Sequence, residues 1–177
     1  MREEILSLMP EFRLLEDSEL KEKTVTVWVE AMKKSGWTID DLHRMPFTLL
    51  IEGTTVNIIE HTRAVVLCSL EIHKVLKETY EERIEINRDY LLAGALLHDV
   101  GKLFEYKKAN KKFIKSEEGH LLRHPISGAV FASQHGLPLE VLHIIAAHSK
   151  EGDGARRTVE AVIVNHADFV NFEALQL

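Results

Sequence analysis

A single cysteine, Cys68, stands in this chain of 177 residues. No internal disulfide can form, and a reducing cytoplasm is the expected compartment. No apolar run approaches the roughly 20 residues needed to cross a bilayer, so the membrane is not an expected partner. Basic residues are in the minority: 22 Lys and Arg face 28 Asp and Glu, for a formal net charge of −6. Wrapping nucleic acid relies on clustered cations meeting phosphates, so that role is disfavoured and small substrates are favoured over polymers. Residues 1–6 are acidic where a secretory leader would be basic, and no long apolar stretch follows them. Repeats, low-complexity tracts and Pro/Gly/Ser-rich linkers are also missing, which at this length predicts one domain with a sizeable core.

What is present has the profile of a globular protein, with 45% apolar and 28% charged residues. Ten histidines are unusually many. Histidine is the commonest metal ligand and the usual proton shuttle at neutral pH.

The text reads as successive helices with short breaks. A helical pattern over 17–34 ends at Gly36, and Thr38-Ile39-Asp40-Asp41 has the look of a capped helix start that stops before Pro46. A long helix is expected over 55–80, with Ile58, His61, Val65, Cys68 and Ile72 at spacings of 3, 4, 3 and 4, so His61 faces inward and Cys68 is a packing residue. The next helix, 87–104, carries the all-apolar run Leu91-Leu92-Ala93-Gly94-Ala95-Leu96-Leu97 and is therefore central. Residues 105–118 form a Lys-rich stretch expected as a solvated loop with a small hairpin, and any strand is confined to about 105–116. Pro125 and Pro138 suit the starts of two further helices, through 133 and 147. The last helix places Val159, Val162, Ile163, Ala167 and Val170 on one stripe, with Asp168 at its edge, half buried and in need of a partner. The chain stops nine residues after Asp168, so this helix is expected to be short or trimmed.

Each histidine alone has an ordinary explanation as a hydrogen-bonded core residue; convergence is what singles some of them out. His98 and Asp99 end the buried helix about 100° apart around its axis, and the helices of His61 and Asp168 turn their inward faces to that end. Imidazole with carboxylate suits Mn, Fe, Ni, Zn or Mg rather than a thiolate-bound metal. On helical spacing alone His120 competes with His124, and His143 with His148. His43, His73 and His135 read as structural or surface residues. His166, two residues from Asp168, cannot face the same way.

The segments His61-Thr62-Arg63, Leu96-Leu97-His98-Asp99-Val100-Gly101-Lys102, His124-Pro125-Ile126-Ser127-Gly128, His148 and Ala167-Asp168 together resemble the HD superfamily of metal-dependent phosphohydrolases. The resemblance covers about residues 51–177. It implies an all-α helical bundle, with residues 1–50 as a helical extension packed on the core. It favours His124 over His120 through the His-Pro context, while His148 ends its helix beside a Gly-rich loop.

The resemblance further implies that His61, His98, Asp99 and Asp168 hold one divalent ion and that His124 and His148 hold a second, with Asp99 bridging. The ions would be Mn, Fe, Ni, Co, Mg or Zn. Such ions lower the pKa of bound water and stabilise charge on a transferring phosphoryl group. The implied reaction is hydrolysis of a phosphomonoester or phosphodiester, of a nucleotide or related small molecule, by a metal-activated hydroxide. Asp99 and Lys102 are the catalytic candidates. Lys102, Lys150 and Arg157 are the candidate phosphate contacts, with Arg63 and Arg156 read as ordinary exposed charges. Lys107, Lys108, Lys111, Lys112 and Lys115 form a basic patch, read as a solvated loop. Two other functions use the same ligands: an HD-fold mixed-valent di-iron oxygenase, and a nucleotide-sensing module without turnover. The loops at 105–120 and 149–157 would carry specificity, and they hold no diagnostic pattern. Oligomeric state is not readable from the sequence.

Overall fold

The computed structural model describes every residue except Lys111 and Leu177. It is helical over 68% of its length. The helices are α1 (Arg2–Leu8), α2 (Ser18–Ser35), α3 (Ile39–Arg44), α4 (Ile58–Tyr80), α5 (Arg88–Leu97), α6 (Lys102–Glu105), α7 (Glu117–Leu121), α8 (His124–Ser133), α9 (Leu139–Ala147) and α10 (Val159–Ala174). Strands β1 (Tyr106–Ala109) and β2 (Lys112–Lys115) form an antiparallel hairpin between α6 and α7, with Tyr106 opposite Lys115. The fold is all-α, and the hairpin falls inside the stretch where the sequence allowed one. No helix among the described residues is long and apolar enough to cross a membrane.

Local signals account for most boundaries. Asp17 caps α2 by accepting from the Leu20 amide, and Gly36 ends it with φ 72, a conformation that a residue with a Cβ adopts reluctantly. Thr38 and Asp41 close a reciprocal capping box on α3, and Asn57 and Glu60 close another on α4. α5 is buried from Leu91 to Leu97 and packs against α2, α4, α9 and α10. Gly94 sits where any Cβ would collide with Ile144, so its absence lets α9 lie close against α5.

One expected helix is divided. The pattern over 87–104 reads as continuous, but α5 stops at Leu97 and α6 starts afresh at Lys102. Between them Val100 donates to the Leu97 carbonyl and Lys102 to that of Asp99, i→i+3 bonds that tighten the turn. Burial of Leu96, Leu97, Val100 and Leu103 on both sides of the break hides it from periodicity. Helices α1 and α7 also lie outside the expected pattern, since each is too short to show a period.

Residues 1–50 and the rest of the chain share one hydrophobic core. Two buried tryptophans tie the first segment to the α5–α6 turn. Trp28 Nε1 donates to Leu96 O at 2.8 Å and Trp37 Nε1 to Leu103 O at 2.7 Å. These carbonyls flank the helix break, and an unpaired buried carbonyl there would be costly.

Candidate metal centre

The break between α5 and α6 brings His98 and Asp99 to the middle of the bundle end, where both are buried. His61, one turn into α4, approaches from one side, with Nε2 3.5 Å from Asp99 Oδ2 and 3.0 Å from Asp168 Oδ1 on α10. His98 Nε2 lies 3.4 Å from the same Asp99 Oδ2 and 3.5 Å from His61 Nε2. The other carboxylate oxygen faces a second pair: Asp99 Oδ1 is 3.3 Å from His124 Nε2 and 3.8 Å from His148 Nε2. Two sets of potential ligand atoms result, His61 with His98 and Asp99, and Asp99 with His124 and His148. Asp99 belongs to both.

Close backbone approach makes the second set possible. A Cβ at Gly101 would fall on the His124 carbonyl, and Gly128 faces Gly101 in turn. Bare glycines at this crossing bring the start of α8, and His124 with it, against the Asp99 turn.

The chemistry of the donors fits a divalent ion. Carbonyl oxygens only accept, so the 2.7 Å contacts from His98 Nδ1 to Ala95 O and from His148 Nδ1 to Ile145 O place a proton on Nδ1 in both rings. The Nε2 lone pairs are then free and aimed inward. His148 Nε2 and Asp99 Oδ1 are buried without a hydrogen-bond partner. Buried polar atoms are rarely left so, and an oxygen beside nitrogen lone pairs is a donor set for a cation. Burial lowers His148 to about 3 and also pushes His61 down, which keeps both rings neutral. For His98 burial works in the same direction, but the charge of Asp99 outweighs it and raises the ring above its ordinary value. Burial alone would raise Asp99 and Asp168. Lys102 and His98 instead hold Asp99 well below the usual carboxylate range, and a hydrogen bond from His61 holds Asp168 at about 2.

A supporting layer fixes the ligands. Glu105 Oε2 accepts from both the backbone amide of His124 at 2.6 Å and its Nδ1 at 2.7 Å. Burial pushes Glu105 up, but those bonds prevail and keep it ionised, at about 2. Carboxylate–histidine pairs of this kind orient a metal-binding ring and raise its basicity. The sequence reading placed Glu105 at the edge of a solvated loop. It is buried, and only its place six residues after Asp99, following the apolar Leu103-Phe104 pair, hints at that. At His148 the backbone carbonyl accepts from Asn165 Nδ2 at 2.6 Å.

The remaining candidates separate. Lys102 is buried, and its Nζ donates to Asp99 Oδ2 at 2.6 Å and to Phe47 O at 2.5 Å. Lys150 lines a cavity of ≈ 250 Å³ that opens onto Lys102, His124 and Asp168. Arg157 does not line it. Its guanidinium donates to Ala147 O, Ser149 O and Asp153 Oδ1, so it braces the loop after His148 and is not free for a phosphate. Arg63 pairs with Glu11 at 2.9 Å. Among the alternative histidines, His120 is exposed and His143 Nε2 accepts from the Thr158 amide at the start of α10. The basic patch is dispersed, with Lys107 on Glu117, Lys108 on Asp41 and Lys115 near Glu105, while Lys111 lies outside the described residues.

Comparison with known proteins bears on the family of the chain. The profile of the HD domain family matches residues 58–171. The chain is 35% identical over 112 residues to dihydroneopterin 2',3'-cyclic phosphate phosphodiesterase of Methanocaldococcus jannaschii, a stretch covering 63% of this chain and 44% of that protein. It is 38% identical over 89 residues to Ribonuclease Y of Desulforudis audaxviator, covering 49% of this chain and 15% of that one. It is 33% identical over 88 residues to Ribonuclease Y of Acidothermus cellulolyticus, covering 50% and 15%. The chain thus spans less than half the length of the curated relatives it matches. No solved structure matches it.

Proposed function

The chain belongs to the HD domain family, and from that premise we propose that it is a metal-dependent phosphohydrolase acting on a small phosphodiester or phosphomonoester, of a nucleotide or related molecule, in a reducing cytoplasm. The observation that carries the reading is Asp99, whose two buried oxygens face two separate histidine pairs. In this reading His61, His98, Asp99 and Asp168 hold one divalent ion, and Asp99, His124 and His148 hold another. Ions bound there supply Lewis acidity, lowering the pKa of water and offsetting charge on a phosphoryl group.

The chain's own groups do the rest. Lys102 keeps Asp99 ionised and positioned, and because it also lines the cavity its ammonium would contact a non-bridging phosphate oxygen of a bound ester. Lys150 and Arg123, on the cavity wall, offer further cations to the ester. Glu105 holds the His124 ring so that its Nε2 stays a donor to the site. Phe47 stacks on His61 with centroids 4.5 Å apart and keeps bulk water off that ligand.

A cyclic phosphodiester is the first substrate to try, because the Methanocaldococcus relative is named for one. The deciding experiment assays 2',3'-cyclic nucleotides, linear phosphodiesters and phosphomonoesters with Mn, Ni, Co, Mg and Zn. Oxygen uptake by iron-loaded protein is measured alongside. Phosphate-ester cleavage that stops on chelation is expected. Oxygen consumption without ester cleavage would transfer the site to the di-iron oxygenases, and tight nucleotide binding without either reaction would make it a sensor.

A further inference from the structure

The cavity beside the candidate ligands has a lining of two unlike kinds. One kind is the cations Lys115, Arg123 and Lys150. Lys115 and Arg123 share a single carboxylate oxygen, Glu105 Oε1, at 3.6 and 3.4 Å, while the other Glu105 oxygen is committed to His124. Arg123 also reaches Glu151 Oε1 at 3.6 Å, so two carboxylates match these two cations, and Lys150, with no ion-pair partner among the described residues, is the cation left over at this wall. The rest of the lining includes Phe47, which packs on His61, and Leu49, Leu50, Phe169 and Phe172, which the proposed hydrolysis does not use. Leu50 is 76% exposed and Leu49 38% exposed, apolar surface left to water at the mouth of a polar site. Phe47 and Phe172 meet edge to face with centroids 6.2 Å apart, so the α10 ring is braced from below.

Helical geometry fixes how far this wall stands from the chemistry. Asp168 and Phe172 are four residues apart on α10 and so share a face, with Cβ atoms about 5–6 Å apart. A ring on Phe172 therefore lies one helical turn from a group bonded near Asp168. Small-molecule pockets commonly run from about 300 to 1,000 Å³, and ≈ 250 Å³ holds one ring and one phosphoryl group rather than a polymer strand.

We propose that the cavity is a two-part site in which Leu49, Leu50, Phe169 and Phe172 clamp a planar aromatic or heteroaromatic ring, joined by a short linker to a phosphoester seated between the ligands and Arg123 and Lys150. The proposal rests on the phosphohydrolase reading for the placement of the phosphoester, and it adds the side chains that select the substrate's ring, favouring ring-bearing phosphoesters over aliphatic ones. It assigns to the loop at 47–50 a role in substrate choice.

Calorimetric titration of the manganese-loaded protein with phenylphosphonate and with methylphosphonate tests this without turnover. Ring stacking on aromatic side chains predicts that phenylphosphonate binds roughly 10- to 100-fold more tightly. Phe172→Ala should erase most of that preference and Leu50→Ser part of it, with methylphosphonate affinity unchanged within about twofold in both. Leu50 is exposed enough that its replacement leaves folding intact, so a poorly folding Phe172 variant does not rescue the idea. Equal affinity for the two phosphonates in the wild type, failure of both to bind, or a preference that survives both substitutions would overturn it. A wild-type preference lost in the variants, in a protein that cleaves no phosphoester, would establish the ring site and remove the hydrolase reading instead.

Discussion

The two ends of α5 are built on opposite rules. At its start the Asn87 side chain accepts from the Tyr90 amide, its own backbone amide donates to Glu160 Oε1, and Asp89 accepts from the amides of Glu16 and Asp17 at 3.1 and 2.7 Å. Arg88 donates to Leu14 O. The polar groups named here all have partners, and the result is a joint between the first segment and the bundle. At its other end four imidazoles crowd two carboxylates, and Asp99 Oδ1 and His148 Nε2 have no partner. A chain selected for stability alone would not bury like-natured donors together. The first end is a fastening and the second is a receptacle.

The contrast predicts opposite consequences of removing a carboxylate at each end. At the receptacle the largest loss comes from Asp99→Ala, which removes the one side chain proposed to serve both ions. Metal content by elemental analysis should collapse, and activity should fall by more than the about 100-fold typical of an outer-layer change. Retention of metal by that variant would break the comparison. Next is Glu105→Gln, which keeps an acceptor for His124 Nδ1 but removes its charge. Metal affinity should weaken about 10- to 100-fold with the far-ultraviolet spectrum unchanged.

At the fastening, Asp89→Ala should cost about 1–3 kcal/mol in denaturant unfolding while metal content and activity per folded molecule stay at wild-type levels. Loss of metal there would mean that the two ends are not separable.

The smallest effect lies away from both ends of α5, at Asp41 on α3, which pairs with Lys108 of β1 at 2.8 Å. Burial pushes its carboxyl up, but hydrogen bonds from Lys108 and Thr38 prevail and hold it at about 2. A depressed carboxylate contributes stability above its unfolded pKa, and that contribution disappears as pH falls through the folded value. The wild type should therefore exceed Asp41→Ala by about 1 kcal/mol near neutrality, and the gap in melting temperature should close between pH 4 and 2.

The fastening and the receptacle were unequally legible in sequence. Asp17, Thr38 and Gly36 announce helix ends through local rules that need no tertiary knowledge. The four histidines, Asp99 and Asp168 show through periodicity combined with the family resemblance, and the structure brings all six side chains to one end of the bundle. Glu105 escaped because its role depends on α8 folding back across the α6 helix, which no local pattern encodes. The tryptophan bonds to Leu96 O and Leu103 O escaped for the same reason, since they span 68 and 66 residues. Arg157 suited a phosphate by type, yet its position ten residues after Ala147 turns it to the end of α9.

The measurement closest to the central claim is the number of ions bound per chain at saturating Mn, in the wild type and in four histidine variants. Two ions are predicted for the wild type, one for His124→Ala and for His148→Ala, and two for the neighbours His120→Ala and His143→Ala, all with the fold retained. A wild type that takes only one ion would contradict the shared role of Asp99, and loss of an ion in either neighbour variant would contradict the choice of ligand within that pair.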